Sequence, residues 1–114
     1  MKNHTGERVV VFAVWEPILA TDTQAPGTGI LGRLNDSRVR QFWDRGHAVA
    51  SAIKTAADAT NLHPNCCEAD GVLWDMTAVY EPGAAWADRL PKPILLDGAI
   101  VKIQSQLESV INKY

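Results

Sequence analysis

The stretch Ser37–Asp44, SRVRQFWD, decides between two architectures. Read with a period of two, Val39, Gln41 and Trp43 alternate with Arg38, Arg40 and Phe42, as along a half-buried strand. Read with a helical period, Val39, Phe42 and Trp43 share one face. The segment is short and its apolar residues are β-formers, so it predicts a strand. Upstream, RVVVFAVW, Arg8–Trp15, is a continuous Val-rich run. It is too short for a typical helix and predicts a central strand covered on both faces. Two prolines, two glycines and three threonines make Pro17–Gly29 a loop, long enough that a covering or functional role is expected. ILGRLND then predicts one or two helical turns ending near Asn35.

Downstream, the alanine-rich RGHAVASAIKTAADATN places Val49, Ile53 and Ala56 at helical spacing. This predicts a helix over about Gly46–Thr60, capped by Asp44 or a neighbour and stopped by Asn61 and Pro64. GVLWDMTAVYEPG predicts a third strand, Val72–Tyr80. Val72, Trp74, Met76, Ala78 and Tyr80 would share one face, and Leu73, Asp75, Thr77 and Val79 the other. EPGA reads as a turn. A short strand at Ile94–Leu96 precedes Asp97-Gly98, a tight-turn dipeptide. Ile100, Ile103, Leu107, Val110 and Ile111 mark one face of a C-terminal helix.

The chain has 114 residues, 46% hydrophobic and 21% charged, with a formal charge of −2. That is the size and composition of one globular domain able to bury a core without staples. Residues 1–7, His4 among them, are expected to fray, and residues 8–114 to form a single α/β domain. The acidic pI near 5.8 argues against a general nucleic-acid binder and against attachment to an anionic membrane. The apolar run ending at Trp15 is too short for a signal peptide core or a membrane span, which predicts a cytoplasmic protein. Arg38, Arg40 and Arg45 are balanced by Asp36 and Asp44 and read as a solvated face.

The order strand, short helix, strand, helix, strand, strand, helix implies parallel pairing early and an antiparallel pair late. It resembles the thioredoxin-like superfamily over nearly the whole chain from Arg8, a small mixed sheet with helices on both faces. Thioredoxins carry Trp-Cys-x-x-Cys after their first strand. Here WEPIL keeps Trp15 but puts Glu16 and Leu19 in place of the cysteines, and Gly71 stands where a cis-proline precedes the third strand. Disulfide exchange needs a thiolate at the first of these positions, so the resemblance implies architecture without that chemistry. A ferredoxin-like α+β sandwich is the alternative.

Three of the four tryptophans are followed by an acid: Trp15-Glu16, Trp43-Asp44 and Trp74-Asp75. With two parallel strands and a third running back, all three doublets would meet at one sheet edge, where open α/β sheets bind ligands. His47 and the long loop with Asp22 would join them. Rings and acids together can stack a flat ligand and hydrogen-bond its polar groups. The competing account is a core closed by large aromatics, with the acids capping helices. Asp44, His47, Glu16 and Asp22 match no metal motif of known spacing, and no cofactor motif is visible, so neither group is predicted.

Cys66 and Cys67, the only cysteines, lie side by side in LHPNCCEADG with His63 nearby. Adjacent cysteines do not form the spaced redox pair, and two thiols with one histidine fall short of a structural zinc site. Two reduced thiols, one of them buried, are expected, and a reactive thiol at Cys66 or Cys67 is the sharper alternative. Two functions stay open. One is a non-redox module binding a small molecule or a protein partner at the aromatic-acidic edge. The other is a small enzyme using Asp44, His47 and Glu16 as acid–base groups, or a Cys66 or Cys67 thiol. The sheet ends and the apolar face of the last helix also offer a surface for a homodimer.

Overall fold

The structure is a computed structural model that describes residues 9–19, 21, 23–62, 64, 66–69 and 72–113. The expected frayed segment 1–7, the start of the first strand at Arg8, and Asp22, His63 and Gly71 lie outside the described residues. The fold is a mixed α/β one, and the chain divides into two compact units, Met1–Ala48 and Val49–Tyr114. Among the described residues no helix is long and apolar enough to cross a membrane.

The first unit is built on β1 (Val11–Trp15) and β2 (Val39–Trp43), with α1 (Thr28–Leu31) and a 3-10 turn (Gly32–Leu34) between them. The two strands pair in parallel, Val11 opposite Val39 through to Trp15 opposite Trp43. The strand reading of Ser37–Asp44 therefore holds over Val39–Trp43. Parallel neighbours need a crossover, which the loop and the short helical turns supply. Side chains alternate between the two faces. Phe12 and Phe42 meet on one, with ring centres 6.0 Å apart and planes tilted by 45°.

The second unit takes in nearly all of α2 (Ala48–Ala59), then β3 (Glu68–Ala69), β4 (Val72–Leu73), β5 (Met76–Val79), β6 (Leu95–Gly98), a 3-10 turn (Ile100–Lys102) and α3 (Gln104–Ile111). On α2 Ala50 and Ala57 are buried and Ile53 is half-buried, spaced as one helical face. Among the described residues Leu73, Leu96 and Ile103 are the large apolar side chains buried here. Each contributes about 1.5–3 kcal/mol relative to exposure. β3 pairs antiparallel with β4, and β5 pairs antiparallel with β6. The expected late antiparallel pair is thus present. The described strands form three two-stranded sheets, however, where one short sheet was expected.

Three elements depart from the sequence reading. The strand expected over Val72–Tyr80 is broken at Trp74-Asp75. The Trp74 N–H closes onto the Cys67 carbonyl at 2.9 Å, finishing the β3–β4 hairpin. Asp75 then adopts φ 49°, a left-handed turn that aspartate tolerates, and its Oδ1 accepts the Ile100 N–H at 3.3 Å. Asp97-Gly98 is no turn but the end of β6, opposite Thr77 and Met76. Finally, Ile100 is 46% exposed on the 3-10 turn, so the buried anchor of the C-terminal segment is Ile103.

Candidate functional site

Trp15 and Trp43 are the last residues of β1 and β2 and lie in register. In-register neighbours project from the same face, so Val11, Ala13 and Trp15 share a side with Val39, Gln41 and Trp43. The Asp44 N–H donates to the Trp15 carbonyl at 2.7 Å and carries the ladder one residue further. The two tryptophans with Gln41, Leu31, Ala25 and Pro26 line a cleft of about 210 Å³. Ala25 and Pro26 come from the long loop, which thus contributes to the wall of the cleft.

Gln41 holds this cleft together. The Trp15 indole Nε1–H donates to Gln41 Oε1 at 2.9 Å, and Gln41 Nε2–H donates to the Leu31 carbonyl at 2.8 Å. One amide thereby joins β1, β2 and α1. Sequence reasoning did not select it, although a glutamine between Val39 and Trp43 on an otherwise apolar face is a signal that could have done so.

Beyond the strand ends, His47 Nδ1–H donates to Glu16 Oε2 at 2.9 Å, with both side chains largely shielded. His47 has φ 58°, a left-handed backbone at the entry to α2. Asp44, expected to work beside His47, is engaged elsewhere. Its Oδ1 accepts the Ala48 N–H at 3.0 Å and caps α2. The histidine partner is therefore Glu16, 31 residues away in sequence.

The structure places the candidate residues as follows. Trp15, Glu16, Trp43, Asp44 and His47 all belong to the first unit and sit at the C-terminal ends of its parallel strands. Trp74 and Asp75 belong to the second unit, where Trp74 is 40% exposed and Asp75 bonds Ile100. Asp22 lies outside the described residues. Among the described residues no three His, Cys, Asp or Glu side chains gather as a metal-holding group.

Cys66 and Cys67 also differ from the reading as two free thiols, because their sulfurs are joined in a disulfide between adjacent residues. Cys67 is buried and Cys66 half-buried, just ahead of β3. The second unit also has a larger hollow of about 590 Å³, lined by Leu62, Glu81, Lys92, Pro93 and Ile94. Among the described residues its lining has no aromatic ring, and neither Glu81 nor Lys92 is held by a side-chain hydrogen bond.

No protein-family model matches the chain, and neither a curated protein nor a solved structure matches it.

Proposed function

We propose that this chain is a non-redox binding module that holds a small ligand in the cleft between Trp15 and Trp43. The observation that carries the reading is the in-register pair of tryptophans at the ends of parallel strands, with a cleft beside them. Large rings supply most of the contact area in small-molecule sites, and a few placed polar groups orient the ligand. Here Gln41 is such a group.

A thioredoxin-like architecture is supported by the order of elements, with a parallel pair first and an antiparallel pair before the last helix. A ferredoxin-like sandwich splits its first βαβ unit, whereas β1 and β2 are hydrogen-bonded neighbours, which favours the first reading. Glu16 at the position of the first thioredoxin cysteine removes the thiolate that disulfide exchange requires.

A second reading rests on the Glu16–His47 pair. A carboxylate that fixes Nδ1–H sets the tautomer and leaves Nε2 as the proton acceptor, the arrangement of a general base. No nucleophile accompanies it among the contacts described, so binding is the stronger reading.

A ligand-observed NMR screen of small planar fragments tests the proposal. Hits should vanish in Trp43→Ala and persist in Trp86→Ala, whose ring lies in an exposed loop of the second unit. A screen without hits, or hits that survive Trp43→Ala unchanged, would overturn it.

A further inference from the structure

Accepting the cleft as the binding site, we infer that its ligand class is an uncharged planar ring with a lactam edge, –C(=O)–NH– within the ring. Three observations lead there. The first is size. A cavity of about 150 Å³ admits benzene, so a cleft of about 210 Å³ has room for a six-membered ring with its substituents.

The second is the state of Gln41. A carboxamide offers two acceptor positions on oxygen and two N–H donors. The Trp15 indole occupies one acceptor position, and the Leu31 carbonyl takes one donor. These two contacts also fix which end is which. Flipping the amide would set its NH₂ against the indole N–H and its oxygen against a carbonyl oxygen. What remains is one N–H and one oxygen lone pair on a group lining the cleft. A lactam supplies an acceptor and a donor side by side and satisfies both. A hydrocarbon ring would displace water from them and leave them unpaired, which is costly.

The third is charge. Among the described residues none that lines the cleft carries a charged side chain, so an ionised ligand would give up hydration there without a counter-charge. The tryptophan rings supply stacking surface to any planar ring, and Gln41 selects among the rings that fit.

The test uses the full chain and follows the indole N–H signals in ¹H–¹⁵N NMR, assigned with single Trp→Phe variants. The probes are 2-pyridone, benzene and benzoate. The Trp15 and Trp43 signals should shift with 2-pyridone at concentrations about tenfold below those needed for benzene. Benzoate should bind more weakly than 2-pyridone. In Gln41→Leu the preference for 2-pyridone over benzene should disappear. Benzene or benzoate binding as tightly as 2-pyridone to the unaltered chain would overturn the lactam assignment and leave the cleft standing as a site. If no probe moves the Trp15 and Trp43 signals, the cleft is not a ligand site and both readings fall. The comparison among ligands needs no variant, so a poorly folding Gln41→Leu would not block the test.

Discussion

Gly98 is held by what approaches it. A Cβ built on this residue would meet the Asp75 carbonyl oxygen, with Met76 Sδ only 3.3 Å away. Backbone cannot retreat as a flexible side chain can, so Gly98→Ala should lower stability by about 1–3 kcal/mol. Gly46 is the contrast, since nothing lies within 4 Å of its virtual Cβ. Gly46→Ala should be neutral or stabilising by up to about 1 kcal/mol, through the unfolded chain. Urea midpoints of the two variants, one lowered and one unchanged or raised, check the pair. Asp36 provides a prediction in pH. Arg38 donates to both of its oxygens, Nε to Oδ1 at 3.0 Å and Nη2 to Oδ2 at 2.8 Å, and the Arg38 backbone N–H adds a bond at 2.9 Å. Side-chain hydrogen bonding by Arg38, reinforced by its backbone N–H, lowers the carboxyl to about 2. A carboxyl depressed in the folded state stabilises it above the ordinary aspartate range, and that contribution is lost as pH falls towards 2. A carboxyl-carbon NMR titration should give a midpoint near 2 for Asp36, returning to the ordinary range in Arg38→Gln.

Helix α2 shows how local chemistry sets the ends of an element. Asp44 caps its start. At its end the Leu62 N–H reaches the Ala57 carbonyl at 2.9 Å and the Asn61 N–H reaches that of Asp58 at 3.4 Å, the paired bonds of a Schellman motif. Asn61 takes the left-handed position, φ 54°. Asp44→Ala should therefore cost about 1 kcal/mol. Asn61→Val should cost about 1–2 kcal/mol, whereas Asn61→Gly should not destabilise. Circular-dichroism melts of the three variants test this, and an Asn61→Val protein as stable as the parent would exclude the motif. Elements of this kind were legible in the sequence because spacing, cap and stop are all local. The break at Trp74-Asp75 was not. Both residues fit the alternation of Val72–Tyr80, and the acceptor role that goes with Asp75's turn depends on Ile100, 25 residues on. Asp97-Gly98 misled for the same reason. Its glycine answers to the Asp75 carbonyl, a neighbour that no local pattern reveals. In the cleft, the tryptophans announced themselves by type, whereas Gln41 acquires meaning only from Trp15 and Leu31, brought to it by the fold.

Over the whole molecule the tryptophans separate into two populations. Trp15 and Trp43 are half-buried in the first unit, while Trp74 and Trp86 of the second are 40% and 54% exposed. The repeated Trp-acid doublet therefore hides two different environments. Trp15 and Trp43 end paired parallel strands and line a cleft, whereas Trp74 closes a hairpin through its backbone. Residue type alone cannot separate them, because the same dipeptide serves a strand end in one unit and a chain reversal in the other. Emission can, since a ring shielded from water emits further to the blue and meets fewer collisional quenchers. The variant Trp74→Phe/Trp86→Phe should keep a blue-shifted band poorly quenched by acrylamide. Trp15→Phe/Trp43→Phe should leave a red-shifted band that acrylamide quenches readily. Equal quenching of the two double variants would mean that Trp15 and Trp43 stand as open to solvent as the other pair. The cleft would then lack the walls that a stacked ring requires. If the populations do separate, Trp74→Phe/Trp86→Phe reports on the cleft alone, and a ligand stacked on Trp15 or Trp43 must then change its emission.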